Sequence, residues 1–375
     1  MANNNNNNKC NVPNLRFPEF TEEWKKCSLG HVTDFVKERI STDKLTLANY
    51  VSTENMKSDF GGINPAISIP NNTNVIHYQK GDVLLSNIRP YLRKVWAANS
   101  DGGCSSDVFV FRAKSISSSF LYYIMANDAF INYVMSGAKG VKMPRGDKEQ
   151  MLKYVFSIPK IEEQYKISRL LHLLDDRIAT QNKIIEDLKK LKSAIYHKLF
   201  SNLQGKEKPL SDLAEIIKGQ QINGSELSES GKYYVMNGGI APSGYYDSYN
   251  TEADTISISE GGNSCGYVQY NNSEFWSGGH CYTLRIKPTT PITTQFLFNF
   301  LKWKEPDIMA LRIGSGLPNI QKKDLSKVCI IVPTLDRQQQ QIALLTTFQM
   351  KIENEEMYAA NLDKQKQYLL QQMFI

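Results

Sequence analysis

Four residues with side chains suited to polyanion binding lie close together in the first half of the chain. Arg89, Tyr91, Arg93 and Lys94 follow a short run typical of a β-strand. Cationic groups bind phosphate oxygens, and the guanidinium group of arginine also pairs with base edges through two hydrogen bonds. The cluster favours contact with a nucleic acid, but for any single residue a solvated surface charge is an equally good explanation.

Two further polar loops occupy corresponding places in the two halves of the chain. The loop of residues 139–153 carries five Lys/Arg against two acids, including Lys142 and Arg145 beside Pro144. Its counterpart around Pro318 carries Arg312, Asn319, Gln321, Lys322 and Lys323. The second half adds Lys218, Gln220 and Gln221, and Asn263 in a Gly-rich turn. The loops share polarity but not identity, as expected of two surfaces that read different short base sequences.

Motifs for catalysis and metal binding are absent from the sequence. The six cysteines form no CxxC pair, and His280 beside Cys281 has no second ligand pair at zinc-site spacing. The chain contains no GxxxxGK[ST] phosphate loop, no Asn/Asp-Pro-Pro-aromatic motif and no FxGxG loop. We therefore expect no metal and no cofactor on this chain. The net charge of +6 is compatible with an anionic partner. Neither a membrane span nor a signal segment is predicted, so we expect a cytoplasmic location.

The elements that must position these loops occur twice, at an offset of 174 residues. The paired landmarks are Met143-Pro144 and Leu317-Pro318, Pro159 and Pro333, Gln164 and Gln338, and Phe200 and Phe374. In both halves the last proline and the phenylalanine are 41 positions apart, with a long amphipathic stretch between them. The chain therefore reads as globular unit, helix, globular unit, helix.

The amphipathic stretches share one register. Alternate steps of four and three residues give an apolar seam with a period of 3.5. Its members are Leu174, Ile178, Ile185, Leu188, Ile195 and Leu199 in the first stretch and Phe348, Ile352, Ala359, Leu362, Leu369 and Met373 in the second. Polar residues interrupt the seam at matching places, Gln181 and Lys192 against Glu355 and Lys366. Because such interruptions set register, we predict two helices packed in one defined arrangement, with two unrelated surface helices as the alternative.

Connector length predicts the orientation of these helices. A helix from Ile167 to Phe200 would be roughly 50 Å long, whereas Ser201 to Pro209 spans at most roughly 30 Å. The second globular unit therefore belongs near the far end of the first helix. Because Pro333 leads directly into the second helix, that helix should run back. We expect an antiparallel pair with one head at each end, the approximate two-fold arrangement that a DNA-binding homodimer makes from two chains.

The heads themselves contain strand-like runs between turn signals and a following helical segment, at 120–132 in one and 295–303 in the other. We predict an α+β fold of two similar heads separated by two long helices in a pseudo-two-fold antiparallel coiled coil. The predicted division is residues 1–28, an N-terminal arm with a disordered Asn run; 29–160, the first recognition domain; 161–200, the first long helix; 201–209, a connector; 210–334, the second recognition domain; and 335–375, the second long helix.

The order of these parts resembles the specificity (S) subunit of type I restriction-modification systems. The resemblance rests on the arm Val12-Pro13-Asn14-Leu15-Arg16-Phe17-Pro18-Glu19-Phe20 with Trp24, the segment Gly81 to Lys94, Gly140-Val141-Lys142-Met143-Pro144-Arg145, and both Pro-acidic-Gln-helix repeats. It covers essentially all of the chain except the Asn run. Two departures are the Asp336-Arg337-Gln338 step, where paired acids are more usual, and the Gln-rich second helix.

The resemblance implies two target recognition domains, each reading one half of a bipartite double-stranded DNA site. It also implies two modification subunits, which bind S-adenosylmethionine and methylate adenine, and restriction subunits, which use ATP and Mg to translocate and cleave DNA. The chain would then determine which DNA sequence is recognised and would carry no catalytic residue. Two other classes remain open: a coiled-coil scaffold without DNA specificity, which would show no salt-dependent DNA affinity, and a stand-alone enzyme, which the missing motifs disfavour.

Overall fold

The computed structural model describes residues 11–314 and 316–375. The Asn run at residues 3–8, predicted to be disordered, lies outside these ranges. The chain forms two compact units: unit 1 comprises Met1–Gln181 and Tyr358–Ile375, and unit 2 comprises Asn182–Met357. Among the described residues, no helix is both long enough and apolar enough to cross a membrane.

Unit 1 contains two four-stranded sheets and a two-stranded ribbon. Its strands are β1 (Lys25–Ser28), β2 (Thr33–Phe35), β3 (Arg39–Ser41), β4 (Tyr50–Val51), β5 (Asn74–Tyr78), β6 (Val83–Ser86), β7 (Val95–Ala97), β8 (Gly102–Cys104), β9 (Val108–Ala113) and β10 (Val155–Ile158). Its helices are α1 (Leu29–Val32), α2 (Ser118–Met125), α3 (Asp128–Ser136), α4 (Lys148–Leu152) and the beginning of α5 (Ile161–Ser201). The strand orders are β2-β9-β6-β7, β3-β5-β8-β4 and β1-β10.

Unit 2 repeats much of this plan. Its strands are β11 (Lys206–Pro209), β12 (Ala214–Lys218), β13 (Tyr233–Met236), β14 (Tyr245–Tyr246), β15 (Thr255–Ser259), β16 (Val268–Asn271), β17 (Trp276–Ser277), β18 (Cys281–Ile286) and β19 (Cys329–Val332). Its helices are α6 (Leu210–Leu213), α7 (Thr294–Trp303), α8 (Glu305–Ala310), α9 (Lys322–Leu325) and most of α10 (Leu335–Met373). The strand orders are β12-β18-β15-β16, β14-β13-β17 and β11-β19.

The main sheets of the two units correspond strand for strand, and both are antiparallel throughout. In each unit the first strand also pairs antiparallel with the last, β1 with β10 and β11 with β19. The predicted fold class, α+β with two similar heads and two long antiparallel helices, is confirmed. One detail was wrong, because the single helical segment expected at 120–132 is two helices. The side chain of Asn127 accepts a hydrogen bond from the Ala129 N–H and so starts α3 afresh.

The long helices run antiparallel within each unit. In unit 1, Asp175 of α5 forms a 2.6 Å ion pair with Lys366 of α10, and Arg177, two residues further along α5, donates to the hydroxyl of Tyr358, which precedes Lys366 on α10. In unit 2, Lys189 and Lys192 of α5 contact α10 residues in reverse order. All of the predicted seam residues are buried or half-buried. The heptad spacing therefore marks the inward faces of both helices.

The lysines that interrupt the seam find partners at symmetric positions. Lys366 pairs with Asp175, and Lys192 donates to Gln349 Oε1 at 2.5 Å. Gln349 is the residue of the second repeat that corresponds to Asp175. Burial lowers the pKa of Lys192. The charge therefore has an anionic partner in unit 1 and a neutral amide partner in unit 2.

The glutamine of each Pro-acidic-Gln step is a buried connector. Gln164 accepts from the Ser117 N–H at 2.8 Å and donates to the Pro159 carbonyl at 2.9 Å. Gln338 makes the equivalent bonds, accepting from the Thr293 N–H at 2.9 Å and donating to the Pro333 carbonyl at 3.1 Å. Each amide thus ties the start of a long helix to the loop before α2 or α7. The repeated motif is explained by this structural role.

Candidate nucleic-acid interface

A closed hairpin loop, residues 139–145, lies between α3 and α4 of unit 1. Lys139 and Arg145 close it through two backbone hydrogen bonds of 2.9 Å each. Gly140 has a φ of 97°, a conformation that only glycine adopts without strain. At the base, Lys139 Nζ donates to Asp147 at 2.8 Å, and this bond lowers the pKa of Asp147. The backbone of the loop is therefore held in one shape.

Unit 2 contains the same loop at residues 313–319. Ile313 and Asn319 exchange backbone hydrogen bonds of 2.8 and 3.0 Å, and Gly314 has a φ of 106°. Ser315 lies outside the described residues. Between the two loop sequences only the glycine and the proline are identical. The two units thus present different side chains on one backbone scaffold.

A second turn docks against each loop. In unit 1 the Arg89 N–H donates to the Pro144 carbonyl at 2.8 Å, and in unit 2 the Gly262 N–H donates to the Pro318 carbonyl at 2.9 Å. Both residues have a positive φ, 51° for Arg89 and 80° for Gly262. A non-glycine residue held in this region costs about 1–3 kcal/mol and is typical of functional sites. The strain marks Arg89 as a candidate for function.

Four of the residues predicted from sequence in unit 1 belong to this joined surface. Arg89, Tyr91 and Lys142 are exposed. Arg145 is 55% exposed, with its guanidinium 3.3 Å from Asp107. Because the turn and the loop are hydrogen-bonded to each other, these side chains are presented together. They provide three cations and one ring.

The other two predicted residues of unit 1 have partners within the protein. Arg93 pairs with Asp128 at 3.1 Å and lies 3.6 Å from Asp59. Lys94 Nζ donates to the Thr53 carbonyl at 2.6 Å. These contacts give both residues a structural role, and their role in DNA binding stays a prediction. Sequence reasoning missed the partners, because no local spacing links Asp128 or Thr53 to the turn.

In unit 2 three of the predicted residues lie near Glu260, which the sequence did not single out. Lys218 Nζ contacts Glu260 Oε1 at 2.7 Å, and the Tyr282 hydroxyl donates to the same oxygen at 2.9 Å. Burial, followed by this hydrogen bond, raises the pKa of Tyr282. Asn263 and Asn319 are exposed on the turn and the loop next to Glu260. The carboxylate therefore holds one cation while the amide groups remain on the surface.

The remaining predicted residues of unit 2 are spread more widely. Arg312 is exposed beside the loop. Burial raises the pKa of the Cys265 thiol, and the positive charge of Arg312 partly offsets this rise. Lys322 is exposed at the start of α9. Gln220 follows β12 and lies against β17 and the turn after it: its N–H donates to the Ser277 carbonyl at 2.8 Å, and its carbonyl accepts from Trp276 Nε1 at 3.1 Å. Gln221 is exposed beside the same turn.

Metal chemistry finds no support in this region. Across residues 11–314 and 316–375, no three His, Cys, Asp or Glu side chains are grouped so as to hold a metal ion. A cavity of about 720 Å³ in unit 1 is lined by residues that include Trp96, Tyr122, Tyr165 and Arg169. Its lining contains no residue of the unit 1 loop, 139–145. In unit 1 the exposed cations of the loop and the docked turn suit binding of a polyanion.

Two equivalent units, each with a closed hairpin loop on a shared backbone scaffold, define a protein with a duplicated fold. Both halves match the family model described as type I restriction modification DNA specificity domain, over residues 21–190 and 204–362. The chain belongs to this family.

Relatives named as type I specificity subunits occur in two mycoplasmas. The one in Mycoplasma pneumoniae is 34% identical over 158 residues, and the one in Mycoplasma genitalium is 32% identical over 158 residues. The matched segment covers 42% of this chain and 42% and 41% of those relatives, so it spans about two fifths of their length. A crystal structure of a type I S subunit from M. genitalium superposes with a TM-score of 0.65 at 20% identity, covering 97% of this chain and 99% of that one. This likeness extends the shared fold to nearly the whole chain.

Proposed function

We propose that this chain is the DNA sequence-specificity subunit of a type I restriction-modification complex. Residues 29–160 and 210–334 would be its two target recognition domains, each reading one half of a bipartite double-stranded DNA site. The observation that carries the proposal is the pair of hairpin loops, which keep one backbone scaffold but differ at nearly every side chain. Duplicated scaffolds with divergent side chains suit the reading of two different base sequences.

The partners follow from membership of the family and the resemblance in sequence. The chain would recruit two modification subunits, which bind S-adenosylmethionine and methylate adenine, and restriction subunits, which use ATP and Mg. It would itself hold no cofactor and carry no catalytic residue, and it would act in the cytoplasm. Exposed apolar side chains on the long helices, such as Leu173, Leu191 and Met357, provide surface for such partners.

The test is to co-express the chain with its modification subunit, incubate the complex with DNA and S-adenosylmethionine, and map methylated adenines by long-read sequencing. A bipartite motif with an unspecified spacer is expected. A stable, cofactor-binding complex that methylates no such motif and shows no salt-dependent DNA affinity would refute the proposal and favour a scaffold.

Assignment of each unit to a half-site needs a second experiment. Replacing residues 210–333 by the same segment of a relative should change one half of the motif and leave the other intact. As a finer probe, Arg312→Ala should weaken recognition of one half-site. Arg285→Ala is the matched control, because Arg285 is also exposed in unit 2 but lies on β18 and is 3.6 Å from Glu215. If both halves of the motif changed together, the units would not be independent readers.

A further inference from the structure

The tips of the two hairpin loops expose aliphatic side chains to solvent. In unit 1, Met143 is 48% exposed and Val141 is fully exposed. In unit 2, Leu317 is 86% exposed and Ile313 is 55% exposed. Met143 and Leu317 occupy the same position, immediately before the proline whose carbonyl accepts the docking hydrogen bond. Each loop therefore points an apolar group outward at the same place.

A single exposed apolar residue is ordinary on protein surfaces. These two are different because they recur at one position of two loops that otherwise share only a glycine and a proline. Each loop is also closed by two backbone hydrogen bonds at its base. A closed loop that keeps an aliphatic group exposed to water at the same position in both units points to a partner that covers it.

The groups around each tip indicate the chemistry of that partner. In unit 1 the exposed cations Arg89, Lys142 and Arg145 flank Met143. In unit 2 the exposed polar residues Arg312 and Asn319 flank Leu317. An apolar tip within a rim of cations and amides matches duplex DNA, whose phosphates face outward and whose stacked bases are apolar. A purely apolar protein groove would not complement this rim.

We propose that Met143 in unit 1 and Leu317 in unit 2 are wedges that enter between neighbouring base pairs of their half-sites and partly unstack them. The inference rests on the proposed function and adds a residue role to it. Each loop is closed by backbone hydrogen bonds before binding, so less loop ordering opposes insertion. The deformability of the base step would then contribute to specificity, in addition to direct base contacts.

The test uses the full chain in complex with its modification subunit and a duplex carrying the methylated motif found above. The variants are Met143→Ser and Leu317→Ser, and both positions are exposed, so folding should be preserved. Leu47→Ser is the matched control, since Leu47 is 47% exposed in unit 1 but away from the loop. 2-Aminopurine, whose fluorescence rises on unstacking, replaces in turn each adenine of both half-sites except those that the modification subunits methylate, because a methyltransferase takes its target base out of the stack by itself. Binding is also measured with one mismatched pair at each step.

The wild-type complex should give a fluorescence rise at one step in each half-site and bind a mismatch at that step about tenfold more tightly, because a mispaired base is easier to unstack. Met143→Ser should abolish both effects in one half-site, and Leu317→Ser in the other, while Leu47→Ser changes neither. Sequence-specific binding without unstacking, or unstacking that survives both variants, overturns the wedges but not the proposed function. Absence of any sequence-specific binding overturns both.

Discussion

Replacing Gln341 by methionine should stabilise unit 2. Gln341 is 3% exposed, and neither its side-chain nitrogen nor its side-chain oxygen has a hydrogen-bond partner among the described residues. It lies on α10 between Gln338 and Leu345, at spacings that place all three on one helix face. The equivalent position in unit 1 is Ile167, which is 1% exposed in the apolar core. The repeat thus carries an apolar side chain in one unit and an unsatisfied amide in the other.

The magnitude follows from the two unpartnered groups. A buried donor or acceptor without a partner costs about 1–3 kcal/mol. Methionine is similar to glutamine in length, is likewise unbranched at Cβ and Cγ, and has a similar helix propensity, so backbone terms nearly cancel. The buried thioether also adds apolar contacts. We expect the free energy of unfolding of unit 2 to rise by about 2 kcal/mol, which corresponds to a roughly 30-fold slower exchange of its protected amides.

Amide hydrogen exchange read by mass spectrometry measures this effect unit by unit, because peptides from residues 182–357 report on unit 2 alone. Ile167→Gln is the reciprocal control: it removes a buried side chain and introduces an unpartnered amide, so exchange in unit 1 should become faster by the equivalent of about 3–5 kcal/mol. Unchanged or faster exchange in unit 2 of Gln341→Met would refute the reasoning. It would mean that the amide of Gln341 is satisfied, for example by a buried water.

Three further predictions concern charged groups. Gln349→Asp should raise the pKa of Lys192, now lowered by burial. In the wild type, the charged lysine costs stability below its depressed folded-state pKa, and this cost is relieved as the pH rises towards 10.5. In the variant the folded-state pKa should lie above 10.5, so stability should instead fall as the pH rises above about 10.5, which urea midpoints will show. The Glu163 side chain is 1% exposed and accepts two 2.7 Å hydrogen bonds from Arg16 of the N-terminal arm. Glu163→Gln breaks this bidentate ion pair, so tryptic cleavage within the arm should accelerate severalfold without a change in unit 2. Arg89→Ala should reduce the salt dependence of DNA binding by about one phosphate contact, whereas Lys94→Ala should lower thermal stability and leave the salt slope unchanged, because its ammonium already bonds the protein backbone; equal slopes for both variants would contradict this assignment.

Residues of the candidate site could be predicted from the sequence only where they are exposed and close together in the chain. Arg89, Tyr91, Lys142 and Arg145 were selected from their types and local clustering, and the structure presents them on one joined surface. Lys94 was selected on the same grounds, but its ammonium bonds a carbonyl 41 residues away in the chain. A lysine that binds phosphate and one that bonds the backbone look the same in a sequence.

The architecture was predictable because it follows from periodic patterns in the sequence. The offset of 174 residues and the heptad seam, from Leu174 to Met373, depend only on spacing along the chain. A helix converts spacing directly into a face, and a repeat converts it into equivalent units. The sequence by itself therefore determined two α+β heads, two long helices and membership of one family by resemblance.

Tertiary structure alone decided which polar groups are used internally and which are left for a partner. The pairing of Lys218 with Glu260, the role of Gln338 in tying a helix to a distant loop, and the exposed position of Leu317 all depend on contacts between residues far apart in the chain. Such contacts follow from how the strands and loops pack, which no local pattern records. Spacing determines the elements and their faces, but only the packed chain determines what each side chain meets.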